Sequence, residues 1–335
     1  MNANEKLKTF LIANGQPAGM TELAGDASTR EYFRVKWNGE TAIACVYPEP
    51  FKASEQTYLD TTKLFRAADL PVAEVIAFSE ELGIIIQEDL GDTILRDVML
   101  ASGEDAAARL RDEAISLIVR IQAATELAYS SGSIASKLRF DKEKLLWELN
   151  YFKEHYFTTL RNTPLPSEDD EAINIEFIEL VEELEDRAAV LCHRDFHAAN
   201  LMLDGRGRMR IIDHQDARVG STAYDLVSLL LDRITELPSP QWLAARRKFF
   251  IEMRTKFGMP KLDEDDFAYE FRLQTIQRCL KAAGTFSYQS AVRGKTHFLP
   301  FIKPMFGITR RGAESLGRFP HIRRILTQEL ESSDA

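Results

Sequence analysis

The sequence predicts an α+β fold in two lobes: a small antiparallel β-sheet lobe over residues 1–89 and a larger, mostly helical lobe over residues 90–335. Three observations predict it. Alternating runs flank Asn38-Gly39, a pair that accepts the positive φ angles of a tight hairpin turn. Beyond Gln87-Glu88-Asp89-Leu90-Gly91 the apolar spacing changes from strand-like alternation to the period of about 3.6 that marks helices. Inside that helical region a second hairpin pattern stands alone, Leu201-Met202-Leu203 and Met209-Arg210-Ile211-Ile212 about a turn-rich Asp204-Gly205-Arg206-Gly207.

In chain order, a short N-terminal helix precedes antiparallel strands over residues 21–47. With Asn38-Gly39 as a two-residue turn, Trp37 pairs with Glu40 and Tyr32 with Cys45, which puts Arg30, Arg34 and Cys45 on one face. A helix is expected from about Ser54 to Ala68, ended before Leu70-Pro71, and Gly83-Ile84-Ile85-Ile86 reads as a buried strand. The helical part includes residues 106–128, a run with Leu145, Leu149, Phe152 and Tyr156 on one face, and an acidic stretch over residues 167–187. Thr163-Pro164-Leu165-Pro166 reads as a loop within this lobe, because neither flank could bury a core alone.

The formal net charge of -10 argues against a general nucleic-acid binder, which needs a cationic surface to displace counterions. The charge is uneven. Residues 245–335 carry 17 Lys+Arg against 10 Asp+Glu, and residues 1–244 carry 25 against 42, so a basic substrate wall and a solvated helical face both remain open. Cys45, Cys192 and Cys279 stand far apart without metal-ligand spacing. No run approaches the roughly 18 apolar residues of a membrane span. A reducing cytoplasm is therefore the expected location, with no membrane partner.

The chemistry concentrates in Leu191-Cys192-His193-Arg194-Asp195-Phe196-His197-Ala198-Ala199-Asn200, followed by Ile211-Ile212-Asp213. Folding the hairpin about its centre brings Asn200 across from Asp213, so an amide oxygen and a carboxylate converge. Such a pair suits Mg²⁺, a hard cation that takes one or two carboxylates and completes its shell with phosphate oxygens and water. Asp195, at the mouth of the same loop, is placed to orient an acceptor hydroxyl and take its proton during phosphoryl transfer. Residues 193–200 match the H-R-D-x-x-x-x-N loop of kinases without a gap.

On these motifs, and on Tyr224-Asp225-Leu226, the chain resembles the aminoglycoside-phosphotransferase and choline-kinase class of protein-kinase-like folds. Residues 25–35, Asp213-His214-Gln215-Asp216-Ala217 and Gln277-Arg278-Cys279-Leu280-Lys281-Ala282-Ala283-Gly284 are similar to the kinases that phosphorylate N-acetylmuramate and N-acetylglucosamine at the anomeric position. The resemblance implies ATP and Mg²⁺ as cofactors and a small-molecule acceptor, a sugar. It makes Asp225 a brace for the catalytic loop alongside His193, and puts the adenine-contacting hinge at Gln87, Glu88 and Asp89. Gly25, Ala27, Ser28 and Thr29 would lie over the phosphates, where small residues let backbone N–H groups face anionic oxygens. Arg278 and Lys281, three apart on a predicted helix, share a face and could meet the acceptor or simply be surface cations. His197 and His214 read as positioning or packing residues.

One departure stands out. Protein kinases hold the phosphates with a third-strand lysine, and the matching position here is Cys45. Arg34, or failing that Arg30, would then supply the charge. A non-catalytic nucleotide-binding module is the alternative that Cys45 raises, but the intact Asp195, Asn200 and Asp213 speak against it. An aminoglycoside kinase would need carboxylates for its polycation where this C-terminal segment is net basic. A protein kinase is disfavoured because Asp213-His214-Gln215 replaces Asp-Phe-Gly.

Overall fold

The computed structural model describes residues 1–23 and 30–332. Its strands are β1 (Met20–Leu23), β2 (Glu31–Trp37), β3 (Glu40–Val46), β4 (Val75–Ser79), β5 (Ile84–Glu88), β6 (Ala188–Cys192), β7 (Leu201–Leu203), β8 (Met209–Ile211) and β9 (Arg218–Ser221). Two compact units emerge, the first of Met1–Leu110, Glu126–Ala135 and Ala198–Ala217, the second of Arg111–Thr125, Ser136–His197 and Arg218–Ala335. Among the described residues no helix is long and apolar enough to cross a membrane.

In the first unit an antiparallel sheet runs in the order β1-β2-β3-β5-β4. Asn38 and Gly39 take φ of 50° and 87°, and the register is the one the turn dictates, Trp37 opposite Glu40 and Tyr32 opposite Cys45. Alternation along β3 divides its side chains between two faces. Ala42, Ala44 and Val46 join Phe33, Val35, Ile84 and Ile86 under helix α1 (Ala3–Ala13), which contributes Leu7, Phe10 and Leu11. Cys45 and Ile85 occupy the other face with Tyr58 of α2 (Thr57–Ala67), beside Tyr32 and Tyr47. α2 starts later than expected, because Ala53–Glu55 forms a separate 3-10 turn and the Gln56 side chain caps Tyr58 N. β4 was not anticipated: its Val75-Ile76-Ala77-Phe78 run is apolar, yet the strand lies at the sheet edge with Ile76 and Phe78 exposed, so its apolar composition is not matched by burial.

The β7–β8 hairpin also belongs to this unit, with Leu201 opposite Ile211 and Met202 opposite Arg210. Ile211 bridges to Val72 and Met202 to Ile94. Arg210 fastens the hairpin to the end of β5. Its guanidinium donates to both Glu88 carboxylate oxygens, at 2.9 and 2.6 Å, to the Val72 carbonyl at 3.0 Å and to Asp204 Oδ2 at 3.2 Å.

The second unit is mostly helical, with α3 (Lys142–Phe152), α4 (Ser167–Asp186), α5 (Tyr224–Leu231), α6 (Pro240–Lys256), α7 (Glu264–Ala291), α8 (Ile302–Leu316) and α9 (Pro320–Glu331). Leu145, Leu149 and Phe152 of α3, and Tyr156 beyond it, are buried as their spacing predicts. The long α7 starts on an Asp263 cap that accepts from Asp265 N and Asp266 N. It presses on α3 so closely that a Cβ at Gly284 would stand 2.6 Å from Phe152 Cα. β6 and β9 pair antiparallel, an element too short to show a period in the sequence.

Candidate active site

The loop that leaves β6 is shaped by one buried carboxylate. Asp225, in the first turn of α5, is fully buried and accepts from His193 N at 2.7 Å and Arg194 N at 3.1 Å. These two bonds help hold Arg194 at φ 86°, a left-handed conformation uncommon outside glycine. Burial raises the Asp225 pKa, and the His193 charge with the two backbone donors only partly opposes it. His193 is itself buried and meets Phe196 edge-on, with ring centroids 5.5 Å apart. The next residue in the chain is Asp195.

Asp195 keeps 26% of its side chain exposed. Its Oδ1 accepts from Arg278 Nη2 at 3.0 Å and from Lys281 Nζ at 3.1 Å, and Arg194 Nε lies 3.8 Å from Oδ2. Burial alone would raise its pKa, but Lys281, Arg278, Arg194 and His197 together outweigh that and hold the carboxyl well below its usual range. Asp195 is thus a fixed anion able to accept a hydroxyl hydrogen bond, among cations that favour an anionic ligand. Arg278 is further held by Ser228 Oγ at 2.8 Å and lies over the Tyr224 ring, 5.3 Å from its centroid. The shared helical face of Arg278 and Lys281 is turned to Asp195, a contact the sequence did not reveal. Behind it runs a buried polar chain, also unforeseen: Gln277 donates to Glu148 at 2.8 Å, Gln274 to Gln277 at 3.0 Å, and Ser221 to Gln274 at 2.7 Å.

In the first unit, the hairpin register brings Asn200 Nδ2 to 3.4 Å from Asp213 Oδ2. A half-turn of that amide presents its oxygen instead. Asp213 sits at φ 59° with its side chain 43% exposed, and Gln215 Nε2 donates to its Oδ1 at 2.8 Å. One carboxylate and one amide oxygen make a sparse donor set, and no cluster of three or more His, Cys, Asp or Glu stands ready for a metal among the described residues. That fits Mg²⁺, which keeps most of its shell for water and phosphate, and not a caged transition metal. His214 is a packing residue, buried between Tyr58 and Phe65 with Thr62 Oγ1 2.7 Å from its Nε2.

The remaining residues that the sequence assigns to a nucleotide fall into three groups. Gly25, Ala27, Ser28 and Thr29 lie outside the described residues. Arg34 is bound to Asp89 at 2.8 and 3.2 Å and to Asp92 at 2.8 and 3.2 Å, while Glu88 is taken by Arg210 and Gln87 accepts from the Tyr58 hydroxyl. Arg30 stands apart from Arg34, with its Nη2 3.7 Å from Asp213 Oδ1.

Residues 19–264 match the phosphotransferase enzyme family. The chain belongs to that family. A relative from Neisseria meningitidis serogroup B, an N-acetylmuramate/N-acetylglucosamine kinase, is 31% identical to this phosphotransferase over 94% of its chain and 93% of the relative's. A protein of the same description from Pseudomonas aeruginosa is 26% identical over 90% and 86% of the two chains. Among solved structures, the choline kinase LicA from Streptococcus pneumoniae superposes with a TM-score of 0.56 at 15% identity, covering 91% of this chain and 96% of that one. The phosphotransferase therefore has a kinase-like α+β fold, as its sequence pattern and motifs anticipate.

Proposed function

We propose that this phosphotransferase is an ATP- and Mg²⁺-dependent cytoplasmic kinase that phosphorylates a hydroxyl of an N-acetylated amino sugar, the anomeric one. The observation that carries the reading is the Asp195 carboxylate, kept ionised and held through Oδ1 by Arg278 and Lys281. A carboxylate so fixed accepts the acceptor hydroxyl's hydrogen bond, orients its oxygen for attack and takes its proton as the phosphoryl group leaves. Cations on that carboxylate suit a neutral or anionic sugar and oppose a polycationic acceptor. The descriptions of the two bacterial relatives support an amino sugar.

On this reading residues 1–89 supply the nucleotide's contacts and residues 90–335 the catalytic, metal-binding and acceptor residues. Asn200 and Asp213 hold Mg²⁺, which when bound neutralises charge on the transferring phosphates. Gly25, Ala27, Ser28 and Thr29 are assigned to the phosphates, with either Arg34 or Arg30 to supply the cation that a third-strand lysine would give, and the backbone at Gln87, Glu88 and Asp89 is assigned to the adenine. Arg278 and Lys281 position Asp195 and bound the acceptor site, and His193 and Asp225 brace the loop.

The test is ADP release from Mg·ATP with a panel of N-acetylated amino sugars, aminoglycosides and choline. Turnover should depend on an amino sugar, and Asp195→Asn should lower kcat by about 10²–10⁴-fold. ATP binding without turnover on any acceptor, or full activity in Asp195→Asn, would overturn the reading.

A further inference from the structure

The third strand carries no cation. Cys45 is buried among Tyr32, Tyr47 and Tyr58, and burial pushes its thiol up to about 11, so it stays neutral near pH 7. Two arginines share its face of the sheet, and the structure separates them. Arg34 is spent on two carboxylates, and Asp89 in turn accepts from Gly91 N at 3.0 Å, so Arg34 ties β2 to the turn that follows β5. Arg30 instead lies 5.8 Å from the centroids of both the Tyr32 and the Tyr47 rings, the stacking that a weakly hydrated guanidinium favours. Its guanidinium also hydrogen-bonds to Tyr47 and brings Nη2 to 3.7 Å from Asp213 Oδ1.

We propose that Arg30, seated on the Tyr32 and Tyr47 rings beside Asp213, is the side chain that binds the donor's phosphates in place of a third-strand lysine, while Arg34 is structural. The inference rests on the reading of ATP as donor and Asp213 as metal ligand. A guanidinium and a divalent cation near one carboxylate repel each other, and anionic oxygens on the guanidinium relieve that repulsion. The placement thus couples the two ligands: Arg30 weakens the metal alone and strengthens the nucleotide. A planar fork of donors also matches phosphate oxygens better than a point charge does.

The experiment is calorimetric titration of the full chain with MgCl₂ alone and with ATP in EDTA, for wild type, Arg30→Ala, Arg30→Gln, Arg30→Lys and Arg34→Ala. Both neutral Arg30 variants should bind ATP about 10- to 100-fold more weakly. The same variants should bind Mg²⁺ alone a few-fold more tightly, an opposite sign that a merely structural residue would not give. Arg30→Lys should recover part of the ATP affinity. Arg34→Ala should lower the melting temperature and change ATP affinity less than Arg30→Ala does. Wild-type ATP affinity in folded Arg30→Ala or Arg30→Gln, or a larger ATP loss in Arg34→Ala, overturns this proposal and leaves the parent reading intact. Wild-type chain that binds no ATP overturns both.

Discussion

Lys281 donates through Nζ to Asp195 Oδ1 at 3.1 Å, the same oxygen that accepts from Arg278 at 3.0 Å. Burial, reinforced by the Arg278 charge, pushes the Lys281 pKa below the ordinary 10.5 even though Asp195 pulls it the other way. Lys281 therefore loses its proton earlier than a surface lysine as pH rises, and Asp195 then loses one of its cations. The alkaline limb of the kcat profile should lie below pH 10.5 in the wild type and move upward in Lys281→Arg, whose guanidinium stays charged. An unmoved limb would dissociate Lys281 from the reaction.

Acid sensitivity should be slight at the same carboxylate. The folded pKa of Asp195 is depressed, so its stabilising pairing is fully present above the unfolded value of about 3.9 and is lost only as pH falls through the lower folded value. Turnover between pH 4 and pH 6, measured on chain that remains folded, should show no inflection that Asp195→Glu displaces. An inflection displaced in that variant would contradict the ion cluster.

Asp225→Ala should leave the His193 and Arg194 amides buried without their acceptor. The expected loss is about 1–3 kcal/mol for each buried donor, read as a lower denaturant midpoint at unchanged m-value. Activity should fall further than stability alone explains, because the backbone next to Asp195 is no longer held at its positive φ.

Gly284→Ala places a methyl against Phe152 backbone, which cannot rotate away as a side chain could. A destabilisation of about 1–3 kcal/mol is expected, visible as a lower melting temperature. An unaltered melting curve would show that α3 and α7 are less tightly apposed than the structure has them.

Metal removal gives a further check. On the proposed roles, EDTA should abolish turnover, Asp213→Ala should not be restored by excess Mg²⁺, and Asn200→Ala, which on the same reading loses only a neutral ligand, should be partly restored by it. Equal Mg²⁺ requirements in wild type and Asn200→Ala would remove Asn200 from the metal.

Local rules made some of this legible. The pairing of Tyr32 with Cys45 follows from a two-residue turn and a side-chain period of two, and the approach of Asn200 to Asp213 follows from folding the β7–β8 hairpin about its centre. Contacts between distant segments were not legible. Arg278 and Lys281 lie 83 and 86 residues from Asp195, and nothing in a helix's own sequence tells which neighbour its polar face meets. The same holds for Arg34, whose partners stand 55 and 58 residues away, so the sequence could not separate it from Arg30. β6 and β9 escaped because pairs this short are specified by their packing rather than by a pattern.

The reach of Arg210 carries a last consequence. With one guanidinium bonded to Glu88, Asp204 and the backbone at Val72, the segment bearing Asn200 and Asp213 is riveted to the end of β5. On the proposed roles, alignment of donor and ion is inherited from one rigid piece and need not be rebuilt at each turnover. The helices around Lys281 are then at liberty to diversify for new acceptors without retuning that alignment.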